Sequence, residues 1–212
     1  MFHMASAGSW DSIKEFGLLP TSQLVGSAGL DTAAQTALLN ERRPKTVTFT
    51  HPEIGSVSVR DQGPLTLSHL RRSLTDMTEY EWFDVLNGRV FFWLHPNRLS
   101  ELLQAKNYRH LEQDVITVDT AKLVARHRDA VRLSPINSGA TLWPTSVERG
   151  SHTFKSIDDY DYAERRRGRS VQKAIAELAV VGGVPDVVDF TLRVDRYLGP
   201  QRLHTIFDIA HC

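Results

Sequence analysis

Cysteine is almost absent from this 212-residue chain, with Cys212 as its single instance. One thiol closes no disulfide within the chain and supplies no thiolate zinc centre, so neither framework is expected. Excess charge is lacking too: 25 Lys and Arg balance 25 Asp and Glu. No whole-molecule field therefore draws the chain toward nucleic acid or an anionic membrane, although a local basic patch stays open. No apolar run approaches the roughly 20 residues that a membrane helix needs. The opening Met-Phe-His-Met-Ala-Ser has neither the basic region nor the apolar run of a signal peptide. The expectation is a cytoplasmic protein with no membrane partner. Lysine is scarce, 6 against 19 Arg. Arg suits flat, bidentate anions, but a high genomic GC content produces the same bias. There is no Walker loop, no dinucleotide-binding glycine fingerprint and no Gly-x-Ser-x-Gly elbow. The nine His residues form no pair at helical metal-binding spacing, so no metal is expected.

What is present describes an ordinary folded domain, 41% hydrophobic and 24% charged, long enough for a sizeable core. Periodicity and punctuation predict strands at Phe2–Ala5, Thr46–Thr50, Ser56–Arg60, Arg89–Leu94, Asp114–Val118, Leu178–Val181 and Thr191–Val194. They predict helices at Ser9–Phe16, Asp31–Arg42, Leu67–Leu74, Thr78–Leu86, Arg98–Lys106, Thr120–Arg126 and Ser170–Ala176. Arg89–Leu94 is almost wholly apolar, as in a strand buried on both faces. Ser134–Thr141 and much of Gly150–Arg169 read as loop. Simple βαβ alternation is missing, which argues against a doubly wound parallel sheet. The expected class is α+β, with short mixed or antiparallel strands and surrounding helices, in one domain over 1–212.

Three features carry candidate chemistry. His3 sits inside the first strand, where it is either a half-buried strand residue or a ligand contact. Arg42-Arg43 ends a helix, where Arg also simply complements the helix dipole. Glu177 stands at the mouth of the apolar run Leu-Ala-Val-Val; its surroundings set its pKa, as for catalytic carboxylates, and a bond to a neighbouring Arg explains it equally well.

Phe2-His3-Met4, Trp10-Asp11-Ser12-Ile13, Phe16-Gly17-Leu18-Leu19, Glu41-Arg42-Arg43, Arg89–Leu94, Asp114–Thr120 and Ala176-Glu177-Leu178-Ala179-Val180 with Val184-Pro185 fall in an order that resembles the DarT family of DNA ADP-ribosyltransferase toxins. A group of bacterial DarT-related domains is resembled as well, through Ser134–Thr141 and the aromatic strand. Pro44–Leu86 departs from the family pattern, and no DarT-like substrate-reading segment is evident. The resemblance implies an ADP-ribosyltransferase-like fold and an NAD-dependent mono-ADP-ribosyltransferase, with Glu177 and Arg43 catalytic and NAD as substrate. It places NAD against His3, Ala5, Arg42, Phe92, Trp93, Asn137 and Ser138. It also implies a nucleic-acid acceptor held through Arg165, Arg166, Arg167 and Arg169, and a toxin or defence role with an antitoxin partner. NAD glycohydrolysis, transfer to a protein or small molecule, and a non-catalytic binding module are the alternatives.

Overall fold

The short strand β1 (Phe2–Ser6) places His3 and Ala5 on one side of its pleat and Met4 on the other. Met4 packs with Leu99, Leu103, Tyr108 and Val115. Leu99 and Leu103 share a face of the helix that spans Pro96–Gln104, with proline in its first turn. The computed structural model describes residues 1–211; Cys212 lies outside the described residues.

β1 pairs with β5 (Glu112–Val118), followed in the same sheet by β8 (Thr191–Leu198) and β9 (Gln201–Asp208). A second sheet has the order β4-β7-β6, formed by Arg89–Phe92, Glu177–Val181 and Val131–Ser134. A separate hairpin joins β2 (Val47–His51) to β3 (Gly55–Val59). Every strand pairing within these sheets is antiparallel. The two larger sheets touch where Phe2 and Trp93 exchange backbone hydrogen bonds of 2.9 and 2.8 Å. This is one α+β domain built from antiparallel sheets.

The main core lies between those sheets and includes Trp10, Phe92, Ile116, Leu123, Val131, Leu178, Val180 and Val194. Trp10 comes from α1 (Trp10–Phe16) and Leu123 from α7 (Thr120–His127). A second cluster gathers Leu65, Leu70, Trp82, Phe83 and Phe154 around α4 (Leu67–Ser73) and α5 (Glu79–Asn87). Thr78 starts α5 with a reciprocal capping box to Glu81. Asp31 caps α3 (Thr32–Leu39) through Ala34 N–H.

Several expectations need correction. Thr21–Gly26 is a helix, α2, so three helices precede the hairpin rather than two. Val131–Ser134 is a strand, and its Val-Arg-Leu-Ser is too short to show a period. The last strand is β9, and the Leu198-Gly199-Pro200 turn ahead of it was a usable signal. The Gly150–Arg169 stretch contains α8 (Tyr162–Arg166), capped by Asp161. Arg89–Phe92 is an edge strand with alternating burial; the central strand with four successive buried residues is β7. Edge or centre is a pairing property, which apolar content does not report.

Candidate active site

A cleft of about 370 Å³ runs along β1. Its walls come from β1, β3, β4 and α1, together with the Asn137–Gly139 loop and Glu177, the first residue of β7. His3, Ala5, Arg43, Trp93, Asn137, Ser138 and Glu177 therefore share one cavity. Arg42 and Phe92 do not. Phe92 is 1% exposed inside the main core, because pleating sends neighbouring strand residues to opposite faces. Phe91 and Trp93 line the cleft in its place. Arg42 instead donates to the Leu65 carbonyl at 2.5 Å and the Gly63 carbonyl at 3.1 Å, pinning the connection between β3 and α4.

His3 Nδ1 lies 2.9 Å from the Phe91 carbonyl. A carbonyl only accepts, so Nδ1 carries the proton and Nε2 keeps its lone pair. Burial is the main cause that lowers the His3 pKa to about 4, against the raising effect of that hydrogen bond. The ring is neutral at pH 7, and no protein donor meets Nε2 among the described residues. It offers a hydrogen-bond acceptor to a ligand in the cleft.

Glu177 is 4% exposed, and Ser138 N–H donates to its Oε2 at 3.1 Å. Burial pushes its pKa up to about 7, against the Ser138 hydrogen bonds and the fields of Arg149 and Arg98. Near neutral pH this carboxyl is balanced between its two states, as expected of an acid-base or charge-stabilising group. The Ser138 loop is itself held. Arg149, 2% exposed, donates to the Ala140 carbonyl at 3.0 Å and to Ser73 Oγ at 3.1 Å. Sequence reasoning missed Arg149, whose surroundings Glu148-Arg149-Gly150 look like surface.

Three arginines, Arg43, Arg60 and Arg89, line the cleft. None makes an ion pair among the described residues. Arg43 bridges α3, the residue after β3 and α5: it donates to the Leu38 carbonyl, to the Arg60 carbonyl at 3.1 Å and to Asn87 Oδ1 at 3.0 Å. Burial lowers its pKa to about 10, so it stays charged. Replacing Arg43 by Met leaves two buried acceptors and a partly buried one unpaired and is expected to cost about 2–3 kcal/mol in chemical denaturation. An unchanged midpoint would mean that Arg43 serves a ligand rather than the fold. Arg60 donates to Gln113 Oε1 at 3.0 Å and sits 5.0 Å above the Tyr108 ring. Arg89 lies 4.8 Å from the Phe154 ring, with its Nε unpartnered. Asp61 also lines the cleft and accepts from Tyr108 Oη and Gly63 N–H, each at 2.8 Å; its negative field acts on Arg43 and Arg60 and offsets part of their charge. The cleft thus carries surplus positive charge and suits an anionic ligand. Arg60 and Arg89 were visible in the sequence as cations at the ends of apolar strands.

A Ser–His contact elsewhere has the wrong polarity for nucleophilic catalysis. His51 Nδ1 accepts from Glu53 and Ile54 N–H, both at 3.2 Å, so Nε2 is the protonated nitrogen facing Ser27 Oγ at 2.9 Å. Arg165, Arg166, Arg167 and Arg169 are exposed on α8 and the turn after it, outside the cleft lining. Among the described residues no three His, Cys, Asp or Glu side chains gather as a metal would require, and no helix is long and apolar enough to cross a membrane.

No curated protein and no solved structure matches the chain. A family model does match, over residues 1–191, which takes in β1, the aromatic strand, the Ser138 loop and Glu177. The chain therefore belongs to DUF7002, described as a family of unknown function.

Proposed function

We propose that the cleft binds NAD⁺ and that the protein is an ADP-ribosyltransferase with Glu177 as its catalytic carboxylate. The observation that supports this reading best is the meeting of Glu177 and His3, from the second and first sheets, in one cleft lined by three arginines that outnumber its ionised carboxylates. Cleavage of the ribose–nicotinamide bond sends the bonding electron pair to nicotinamide and leaves an oxocarbenium-like ribose. A buried carboxylate stabilises that cation strongly, because little water screens it. Ionised Glu177 takes this role and accepts from the ribose 2′-hydroxyl. His3 Nε2 accepts from a ribose hydroxyl and orients the sugar, while Trp93 and Phe91 offer flat apolar surface to nicotinamide. An acceptor nucleophile then bonds to the anomeric carbon and loses its proton. The exposed arginines of α8 favour a polyanionic acceptor such as single-stranded nucleic acid.

The test is nicotinamide release from NAD⁺ by the purified protein, offered single-stranded DNA, RNA and cell lysate in parallel. Release with label on one acceptor supports transfer and names the acceptor. Release without any label makes the protein a glycohydrolase. Absence of both binding and release removes the enzymatic reading and leaves a binding module. His3→Leu is expected to raise KM for NAD⁺ about tenfold, the value of one hydrogen bond near 1.4 kcal/mol; an unchanged KM would take His3 out of the binding site.

A further inference from the structure

We propose that a second cavity beside the cleft is a half-site for the adenosine of an adenosine diphosphate group, with Arg60 as the phosphate contact between the two cavities. The proposal rests on the dinucleotide reading above and gives the ligand its second end. This cavity has a volume of about 250 Å³ and shares Ser6, Arg60 and Tyr108 with the cleft as a common wall. The cleft alone lies at the small end of the roughly 300–1,000 Å³ of small-molecule sites, and the second cavity extends it toward the size a dinucleotide needs.

The chemistry changes in order along the two cavities. Glu177 and His3 serve the reacting sugar in the first. At the shared wall, Arg60 is clamped between Tyr108 and Gln113 Oε1, so its position is set; the Asp61 field reaches it, but no direct ion pair among the described residues occupies its guanidinium. A fixed guanidinium of this kind suits phosphate. Beyond it the lining turns neutral or acidic. Gln113 is 5% exposed and lines the second cavity. Its Oε1 is taken by Arg60, and no protein acceptor meets its Nε2 among the described residues, which leaves a donor for a base ring nitrogen. Glu112, exposed and paired with Arg196 at 3.1 Å, repels phosphate from this cavity and accepts from an exocyclic amine or ribose hydroxyls. Leu111 and Ala7 supply apolar wall. A sugar end, a phosphate contact and a nucleoside end follow one another as they do in a nucleoside diphosphate sugar.

The experiment is calorimetric titration of the full chain with ADP and, separately, with nicotinamide mononucleotide. Thr46 is exposed and lines the second cavity only, so Thr46→Trp fills that cavity, and a thermal melt checks that the variant folds. Thr46→Trp is expected to weaken ADP at least tenfold and leave nicotinamide mononucleotide unchanged; Arg60→Met weakens both. ADP binding that Thr46→Trp does not alter overturns the half-site. NAD⁺ cleavage by a protein that does not bind ADP also overturns it while the transferase reading stands. ADP binding with the expected pattern but no NAD⁺ cleavage keeps the half-site and removes the transferase.

Discussion

Glu177→Gln is expected to slow nicotinamide release from NAD⁺ by about 10²–10³-fold, the size of effect seen when one preorganised charge-stabilising group is removed. Binding of NAD⁺ should change little, because Gln keeps the shape and an acceptor oxygen for Ser138 N–H. The same substitution acts on stability in the opposite direction. The folded-state pKa of Glu177 is about 7, raised from 4.5 chiefly by burial. Below pH 4.5 the group is protonated in both folded and unfolded chains and costs nothing. Between 4.5 and about 7 the unfolded chain releases the proton while the folded one retains it, so stability falls as pH rises and then levels off. At about 1.4 kcal/mol per pH unit across that window, the penalty above pH 7 is about 3 kcal/mol. Glu177→Gln removes it, raising Tm at pH 8 by roughly 6–12 °C and leaving Tm near pH 4 unchanged. Wild-type turnover should rise with pH through about 7 as the carboxylate ionises. Paired melts at the two pH values and one activity profile check all three. Equal melting at pH 8 would show that Glu177 is hydrated, and the carboxylate would lose its reason for catalytic strength.

The second large effect concerns the frame of the cleft. Gly17 ends α1 at φ 80°, ψ −176°, a region open essentially to glycine alone. A Cβ there lies 2.4 Å from Pro185 Cα, a backbone atom that cannot step aside. Next to it, Leu18 and Val184 exchange backbone hydrogen bonds of 2.9 and 2.8 Å, tying the end of α1 to the turn after β7. Gly17→Ala should cost about 3–5 kcal/mol and lower Tm by roughly 6–20 °C, read by circular dichroism. Gly8 separates the two causes. It has φ 82°, yet an added Cβ meets nothing within 4 Å, so Gly8→Ala should lose only about 1–2 kcal/mol. A loss at Gly17 no larger than that at Gly8 would show that the Pro185 contact is relieved by a backbone shift.

Much of the chain was readable from local pattern. Trp10, Ile13 and Phe16 spaced along one helical face, Asp31 as a cap, and the short strand Ser56–Arg60 all act within a few residues of chain, and each element formed; Ser9, the other cap the sequence suggests, makes no side-chain cap bond. Glu177 stood out for the same reason: a carboxylate heading an apolar strand is a local anomaly. The failures were of two kinds. Val131–Ser134 and Thr21–Gly26 are too short to show a period, and partners far along the chain decide their state. Arg42 and Arg43 look alike in sequence, yet one pins a loop and the other bridges two helices and the residue after β3, because the choice depends on which carbonyls folding brings within reach.

The sequence by itself determined the α+β class, most of the helices, and a short list of side chains that the cleft then brings together. Only the tertiary structure decided that His3 and Glu177 share a cleft, that Arg60 and Arg89 join them, that Phe92 belongs to the core, and that Glu177 is buried enough to hold its proton to about pH 7. Strand order, desolvation and the meeting of distant side chains are set by long-range pairing and packing, and a local window of sequence contains neither partner.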